Sequence, residues 1–437
     1  MLLFLIMTIA GLDSRLWASI FAYLPMKERS RAACVCTLFK QILEGRANDA
    51  ILWPAATLRK STHIPSPYVK KAFERLVSAS ATPSQLSGTE TEGSALLVHN
   101  ALLIATSSGG EVKILHTQLA NTPCTEAISR IAEKDLWSDV QYRLQGNWLI
   151  RSYQTILHDL VKNNHEVWEL DAKEGRAKKI HTVRFRALGP SILEPVRHKN
   201  ELYIADAWRS TVAVFSFQDQ PIRLPTIPGT QAARQLRVVD ETLVVGYADN
   251  SCLLKDLTGK RLVKETTIGA APSCDLIGRF RAIHYDNNTV ALSPMAIDQF
   301  TNEPAYFLSC TQEGLFFGDS FAMDGEWITF TAANEDETFY GILLFNLATA
   351  KEKHVTQAGY IPTDPDNTQL LRWPFYAYAN NNQLSVFALW DLQHNEKNEL
   401  IPTAIYSVPK ECTISAFCLQ NSRFVVSTTD GKIFRFG

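Results

Sequence analysis

The chain has 437 residues, 46% of them hydrophobic and 20% charged. That balance excludes wholesale disorder and leaves room for two or three domains, or one small domain and one large repeat body. Lys and Arg number 43 against 45 Asp and Glu, a net charge of −2, which excludes the basic excess of a general nucleic-acid or membrane-surface binder.

The first element is an apolar run, Met1–Met7, broken at Thr8 with the first acid at Asp13. It is too short for a membrane span and lacks the positive start of a signal peptide. It is expected to pack on the N-terminal domain or against a partner. Leu12, Leu16, Ile20 and Leu24 then recur every fourth position, and Trp17 and Phe21 form a second apolar stripe. This is the pattern of a helix that buries two faces. Pro25 ends it and can open a second helix, which carries Ala32, Val35, Cys36, Phe39 and Leu43, with Gly45 as a stop. About 45 residues cannot close a self-sufficient core, so these helices need a partner, either the rest of this chain or another protein. Residues 1–60 hold eight bases and four acids, compatible with an acidic partner.

The string Leu12-x3-Leu16-x3-Ile20-Phe21-x-Tyr23-Leu24-Pro25, followed by Val35-Cys36-x2-Phe39 and Leu52-Trp53, resembles the F-box, over roughly residues 10–53. The resemblance implies that Leu12, Leu16, Ile20, Leu24, Pro25, Val35 and Phe39 face a Skp-type adaptor or support that face. Through the adaptor the chain would join a cullin ubiquitin ligase. Asp13 stands where the family usually has a proline, a departure that lowers the expected affinity.

Residues 54–92 read as a connector with Pro54, Pro65, Pro67 and Pro83, a short helical candidate at Val69–Val77 and a polar stretch. From residue 93 to 437 one unit recurs: strand, Asn/Asp/Gly turn, apolar strand. It is seen in Leu96–Ala105, Tyr142–Ile150, Pro195–Ala205, Arg237–Gly246, Ile283–Leu292, Ala322–Phe330, Tyr378–Phe387 and Leu419–Ser427. The spacing is that of propeller blades. The expected fold class is therefore mostly β with a small all-α N-terminal domain: F-box helices followed by a seven- or eight-bladed β-propeller, with eight the better fit. Its last blade would borrow an outer strand from somewhere in 75–92. The Gly-His and Trp-Asp signatures of WD repeats are largely missing, so the propeller is WD-repeat-like only in geometry.

No GxSxG, HExxH, GxGxxG or phosphate-loop pattern occurs. Gly318-Asp-Ser320 reads as a turn, and Thr363–Asn367 as a solvated loop without the glycine and distal glutamate of a calcium site. The eight cysteines form no CxxC pair and no zinc spacing. They read as thiols in a reducing compartment, which the lone Asn-x-Thr triplet at Asn287 does not outweigh. No catalytic residue, metal or cofactor is expected. Arg234, Arg279, Arg281 and Arg372 fall near the starts of the predicted innermost strands, where they could converge on a phosphorylated or acidic motif. Trp208-Arg209 and Arg372-Trp373 add candidate anchors for a substrate protein.

The leading expectation is a non-catalytic substrate receptor of a Skp/cullin/F-box ubiquitin ligase, with no nucleic-acid partner and no membrane span. It would work in the cytoplasm or nucleus of a eukaryotic cell, or in the host cytosol if it is an effector delivered by an intracellular bacterium. Two other readings stand beside it. One is an interaction scaffold whose helical cap packs on its own propeller, separated from the first by adaptor binding. The other is a propeller hydrolase, which would need perturbed carboxylates or histidines at the channel.

Overall fold

The computed structural model describes residues 84–86 and, with breaks in the connecting loops, 94–436. The helices expected within 1–53 and the candidate at 69–77 lie outside the described residues.

The described residues form eight mainly antiparallel sheets of four or five strands and one separate two-stranded hairpin. Sheet 1 is Ser94–His99, Leu102–Ser107, Val112–His116 and Glu126–Ile128; sheet 2 is Gln141–Gln145, Trp148–Leu157, Leu160–Asp171 and Arg176–Arg186. Sheet 3 runs from Val196–His198 to Ile222–Arg223, sheet 4 from Ala233–Val239 to Glu265–Ile268, and sheet 5 from Cys274–Ile277 through Tyr306–Ser309 to a fifth, parallel strand, His354–Val355. Sheet 6 begins with Phe316–Asp324 and ends with Gln357–Pro362; sheet 7 begins with Gln369–Arg372 and ends with Ala404–Ser407. Sheet 8 is Ile414–Gln420, Arg423–Thr428 and Ile433–Phe436, completed by Ser84–Leu86 from the other end of the chain, with Ser84 opposite Arg435 and Leu86 opposite Ile433.

The first strands of successive sheets approach one another around a common axis, and the first strand of sheet 1 lies beside that of sheet 8. The assembly is therefore a closed β-propeller. Its core is distributed over the interfaces between neighbouring sheets. Leu243, Val245 and Tyr247 pack toward sheet 3, while Val244 and Cys252 pack toward Leu276 of sheet 5. A middle strand buried on both faces reads as a continuous apolar run, and every residue of Thr242–Tyr247 is buried. The same arrangement closes the ring, where Leu103 and Ala105 meet Ala416, Cys418 and Val425.

Hairpin turns use the left-handed backbone that tight reversals require, at Gly146, Gly278 and Gly325 but also at Lys199, Glu241 and Asn381. Neighbouring inner strands are joined by a glutamine device. Gln145 Nε2 donates to Pro195 O (2.8 Å), while its Oε1 accepts from Arg197 N. Gln235 repeats this at the interface of sheets 4 and 5, accepting from Leu276 N at 2.8 Å and donating to Asp275 at 3.3 Å. Each amide acts as a peptide group between two strands too far apart to form a ladder.

Gly318-Asp-Ser320 is not a turn but an irregularity within the first strand of sheet 6, where the register shifts between Phe317 and Phe321. Thr331 Oγ1 bonds both the N–H and the carbonyl of Ser320 at 3.2 Å, satisfying the backbone that the ladder skips. The separate hairpin, Gln393–His394 with Leu400–Ile401, leans from sheet 7 onto sheet 6. Leu400 lies so close to Gly359 that a Cβ there would sit 2.5 Å from its side chain. Gly359→Val is accordingly expected to cost about 1–3 kcal/mol in a chemical denaturation measurement.

Candidate functional site

The two ends of the innermost strands define two rims of the ring. Arg234 stands exposed at the start of the first strand of sheet 4. With Gln235, Gly246, Tyr247, Asn250, Ser251 and Leu276 it lines a shallow surface cleft between sheets 4 and 5, open to solvent. The far wall is a tight turn: Asn250 N–H donates to Tyr247 O (3.0 Å), and Asp249 accepts from the Ser251 amide and hydroxyl. These bonds hold the Asp249 carboxyl below its usual range.

Arg281 braces this turn from below. Its side chain is buried, 5% exposed, and Nη2 donates to Asn250 O at 2.9 Å. It sits on the second strand of sheet 5, not the innermost one, because the hairpin Ile283–Leu292 is the middle hairpin of its sheet rather than the first. The same one-strand slip moves Arg279, which lies in the turn after the first strand and pairs with Glu326 at 3.0 Å while lying over the Phe280 ring. Arg372 ends its inner strand and donates to Leu419 O of sheet 8 at 3.2 Å. Arg279 and Arg372 therefore belong to the rim opposite Arg234. The structure brings together Arg234 and Arg281, with Arg281 as a brace, and does not gather the four arginines on one face. Trp208, Arg209 and Trp373 lie outside the described residues, as do Leu12, Leu16, Ile20, Leu24, Pro25, Val35 and Phe39.

Sequence reasoning missed a polar network inside sheet 2. Glu166, 5% exposed, accepts from Arg151 Nε at 2.8 Å, and the same oxygen takes a second guanidinium bond. Its other oxygen pairs with Lys179 and accepts from Tyr153 Oη at 3.4 Å. Burial works to raise the Glu166 pKa, but the Lys179 hydrogen bond and the Arg151 charge outweigh it and hold the carboxyl low. One step along the ladder, Ser152 Oγ bonds His165 Nδ1 at 2.9 Å and Gln154 Nε2 donates to Asn163 at 2.8 Å. Burial pushes the His165 pKa down to about 4.

A serine beside a histidine is the start of a nucleophile–base pair. Here the histidine is 1% exposed and the serine is buried as well, so no substrate reaches them. The pair lies on the second and third strands of its sheet, away from the axis. The network therefore serves the sheet. Its signal in the sequence was Lys162-Asn-Asn-His165, which reads as a loop until Gln154, Thr155 and Ser152 stand opposite.

Cys252, Cys412 and Cys418 are buried free thiols, and Cys310 is half-buried. Burial pushes Cys418 up to about 12, far from thiolate chemistry at neutral pH. Among the described residues no group of His, Cys, Asp and Glu is placed to hold a metal ion, and no helix is long and apolar enough to cross a membrane.

Residues 9–48 match the F-box domain. The fold is similar to that of Saccharomyces cerevisiae Sqt1, with a TM-score of 0.52 and 11% identity over 82% of this chain and 98% of that one. It is also similar to the C-terminal WD40 domain of Sif2, with a TM-score of 0.50 and 9% identity over 79% of this chain and 97% of that one. The computationally designed protein Ika8 gives a TM-score of 0.51 at 12% identity, over 80% of this chain and 98% of that one. No curated protein sequence matches the chain. The chain thus carries an F-box domain at residues 9–48 and a C-terminal propeller resembling WD40 proteins.

Proposed function

We propose that the protein is a substrate-recognition subunit of a Skp/cullin/F-box ubiquitin ligase: residues 9–48 bind the adaptor and the propeller holds a substrate protein. The observation that carries this reading is the F-box match placed ahead of a closed propeller. A segment of some 40 residues with two apolar faces is too small to bury both by itself, and an adaptor completes its core. The propeller supplies rims and inter-sheet clefts, a rigid frame suited to gripping a partner. In this reading the chain transfers nothing itself. It positions a substrate for a ligase active site carried by other subunits, in the cytoplasm or nucleus.

The adaptor contacts assigned to Leu12, Leu16, Ile20, Leu24, Pro25, Val35 and Phe39 rest on the motif, and Leu24 and Pro25 are the pair to test. Arg234 is the substrate-side candidate with a cleft beside it, and Trp208, Arg209 and Trp373 join it as candidate anchors. The test is co-expression of the full chain with a Skp-type adaptor, then affinity capture and size exclusion. The wild type is expected to elute as a one-to-one complex, and Leu24→Ala with Pro25→Ala to lose it, since central apolar anchors dominate such interfaces. Folded protein that captures no adaptor would overturn the ligase reading and favour a scaffold whose cap packs on its own propeller.

A further inference from the structure

Sheet 2 reaches further than its neighbours. Its last three strands have 10, 12 and 11 residues. The corresponding strands of the other sheets have no more than 7, as in Phe280–Asp286 and Trp327–Ala333. The inner strand begins at Gln141, opposite Ser152. Residues 153–157, 160–164 and 184–186 therefore continue past it as a projecting three-stranded tongue.

The charge of this sheet is divided. On the lower part of its last strand the bases meet acids: Lys178 lies opposite Glu169, Arg176 opposite Asp171, and Lys179 is paired with Glu166. In the projecting part Lys162 lies opposite Arg186 and Arg184 opposite Asn164, and no Asp or Glu occurs among the paired residues. Arg184 is exposed, and two aliphatic side chains at the tip, Ile156 and Leu160, are 43% and 39% exposed. Arg176–Arg186 is the last strand of its sheet among the described residues, so the outer edge of the tongue is a strand edge.

We propose that this edge docks an extended acidic segment of a partner protein, laid alongside Thr182–Arg186 as a further strand. A strand edge offers main-chain donors and acceptors to an incoming strand. Lys162 and Arg184 select its charge, and the exposed aliphatics give it an apolar foothold. Basic residues on an edge also keep identical copies from pairing with one another, and a guard of that kind still admits a strand of opposite charge. A nucleic acid fits less well, because the tip presents aliphatic side chains where bases would stack on aromatic ones. This inference does not depend on adaptor binding.

The test uses the full chain and a fluorescent peptide alternating Glu and Val, followed by anisotropy. Binding is expected to weaken as salt rises, to fall about tenfold or more in Lys162→Glu with Arg184→Glu, and to be lost when proline replaces the central valine. Thermal melts establish that the variant is folded. If it is not, Ile156→Asp serves as the second variant and is also expected to bind less tightly. Undetectable peptide binding, equal binding by wild type and folded variants, or retention of a single-stranded RNA or anionic vesicles in place of the peptide would each overturn the proposal.

Discussion

Glu166→Ala is expected to lower the folding free energy by about 3–5 kcal/mol, the cost of leaving a buried base without its counter-charge. Arg151 and Glu166 each retain only 7% exposure of their side chains, so neither can turn to water when its partner is removed. Lys179, the second base on the same carboxylate, is 40% exposed and can. Lys179→Ala should therefore cost no more than about 1 kcal/mol. Urea denaturation of the two variants beside the wild type measures the difference. Similar losses in both would mean that the charge at Glu166 is solvated and that the network adds little. A double replacement, Arg151→Met with Glu166→Leu, should recover most of the loss, because apolar residues of similar volume often substitute for a buried pair without penalty.

The second large effect is acid sensitivity centred on His165. Its folded pKa is about 4, against an ordinary value near 6.5, because burial disfavours the cation. Above about pH 6.5 the ring is neutral in both states and contributes no pH dependence. As pH falls toward 4 the unfolded chain takes up a proton that the folded chain refuses. Stability is then lost across that window, by about 3 kcal/mol when complete and about 2 kcal/mol at pH 5. His198, lowered mainly by burial, acts with the same sign. Glu166, whose folded pKa is depressed, contributes stability above the ordinary carboxylate range, and that part disappears only at lower pH. Chemical denaturation at a series of pH values should show the slope between about pH 6.5 and 4, and His165→Asn should flatten it. An unchanged slope in that variant would remove His165 as its source.

The propeller was legible where hairpins turn on Asn, Asp or Gly between alternating strands, as in Tyr142–Ile150 around Gly146 and Ala322–Phe330 around Gly325. Two hairpins misled by their strength. Ile283–Leu292 and Tyr378–Phe387 carry Asn-rich turns but are middle hairpins. The first turn of sheet 5, Gly278-Arg279, carries no Asn or Asp, and neither does the two-residue sequence 373–374 between the first two strands of sheet 7. That difference displaced Arg279, Arg281 and Arg372 in the sequence reading. The sheet 2 network was illegible for another reason. Asn163, Asn164 and His165 gain a place in a strand only through partners on the neighbouring strand, Gln154, Thr155 and Ser152. Local propensity cannot register such pairing. The cleft beside Arg234 likewise depends on two sheets meeting, a contact between residues some 40 positions apart.

The strand that closes the ring also dictates when it can close. Ser84–Leu86 leaves the ribosome early, and its partner Ile433–Phe436 is made only after every other strand of the propeller. The inner strand Ser94–His99 lacks its neighbour in sheet 8 until Ile414–Gln420 is made, and apolar residues such as Leu103 and Ala105 lack their full cover until Ile433 follows. The longest-range contacts form last, which makes folding slow and leaves sticky strand edges exposed during synthesis. A premature stop within the final sheet would leave an open ring with two unpaired edges instead of a slightly shorter protein.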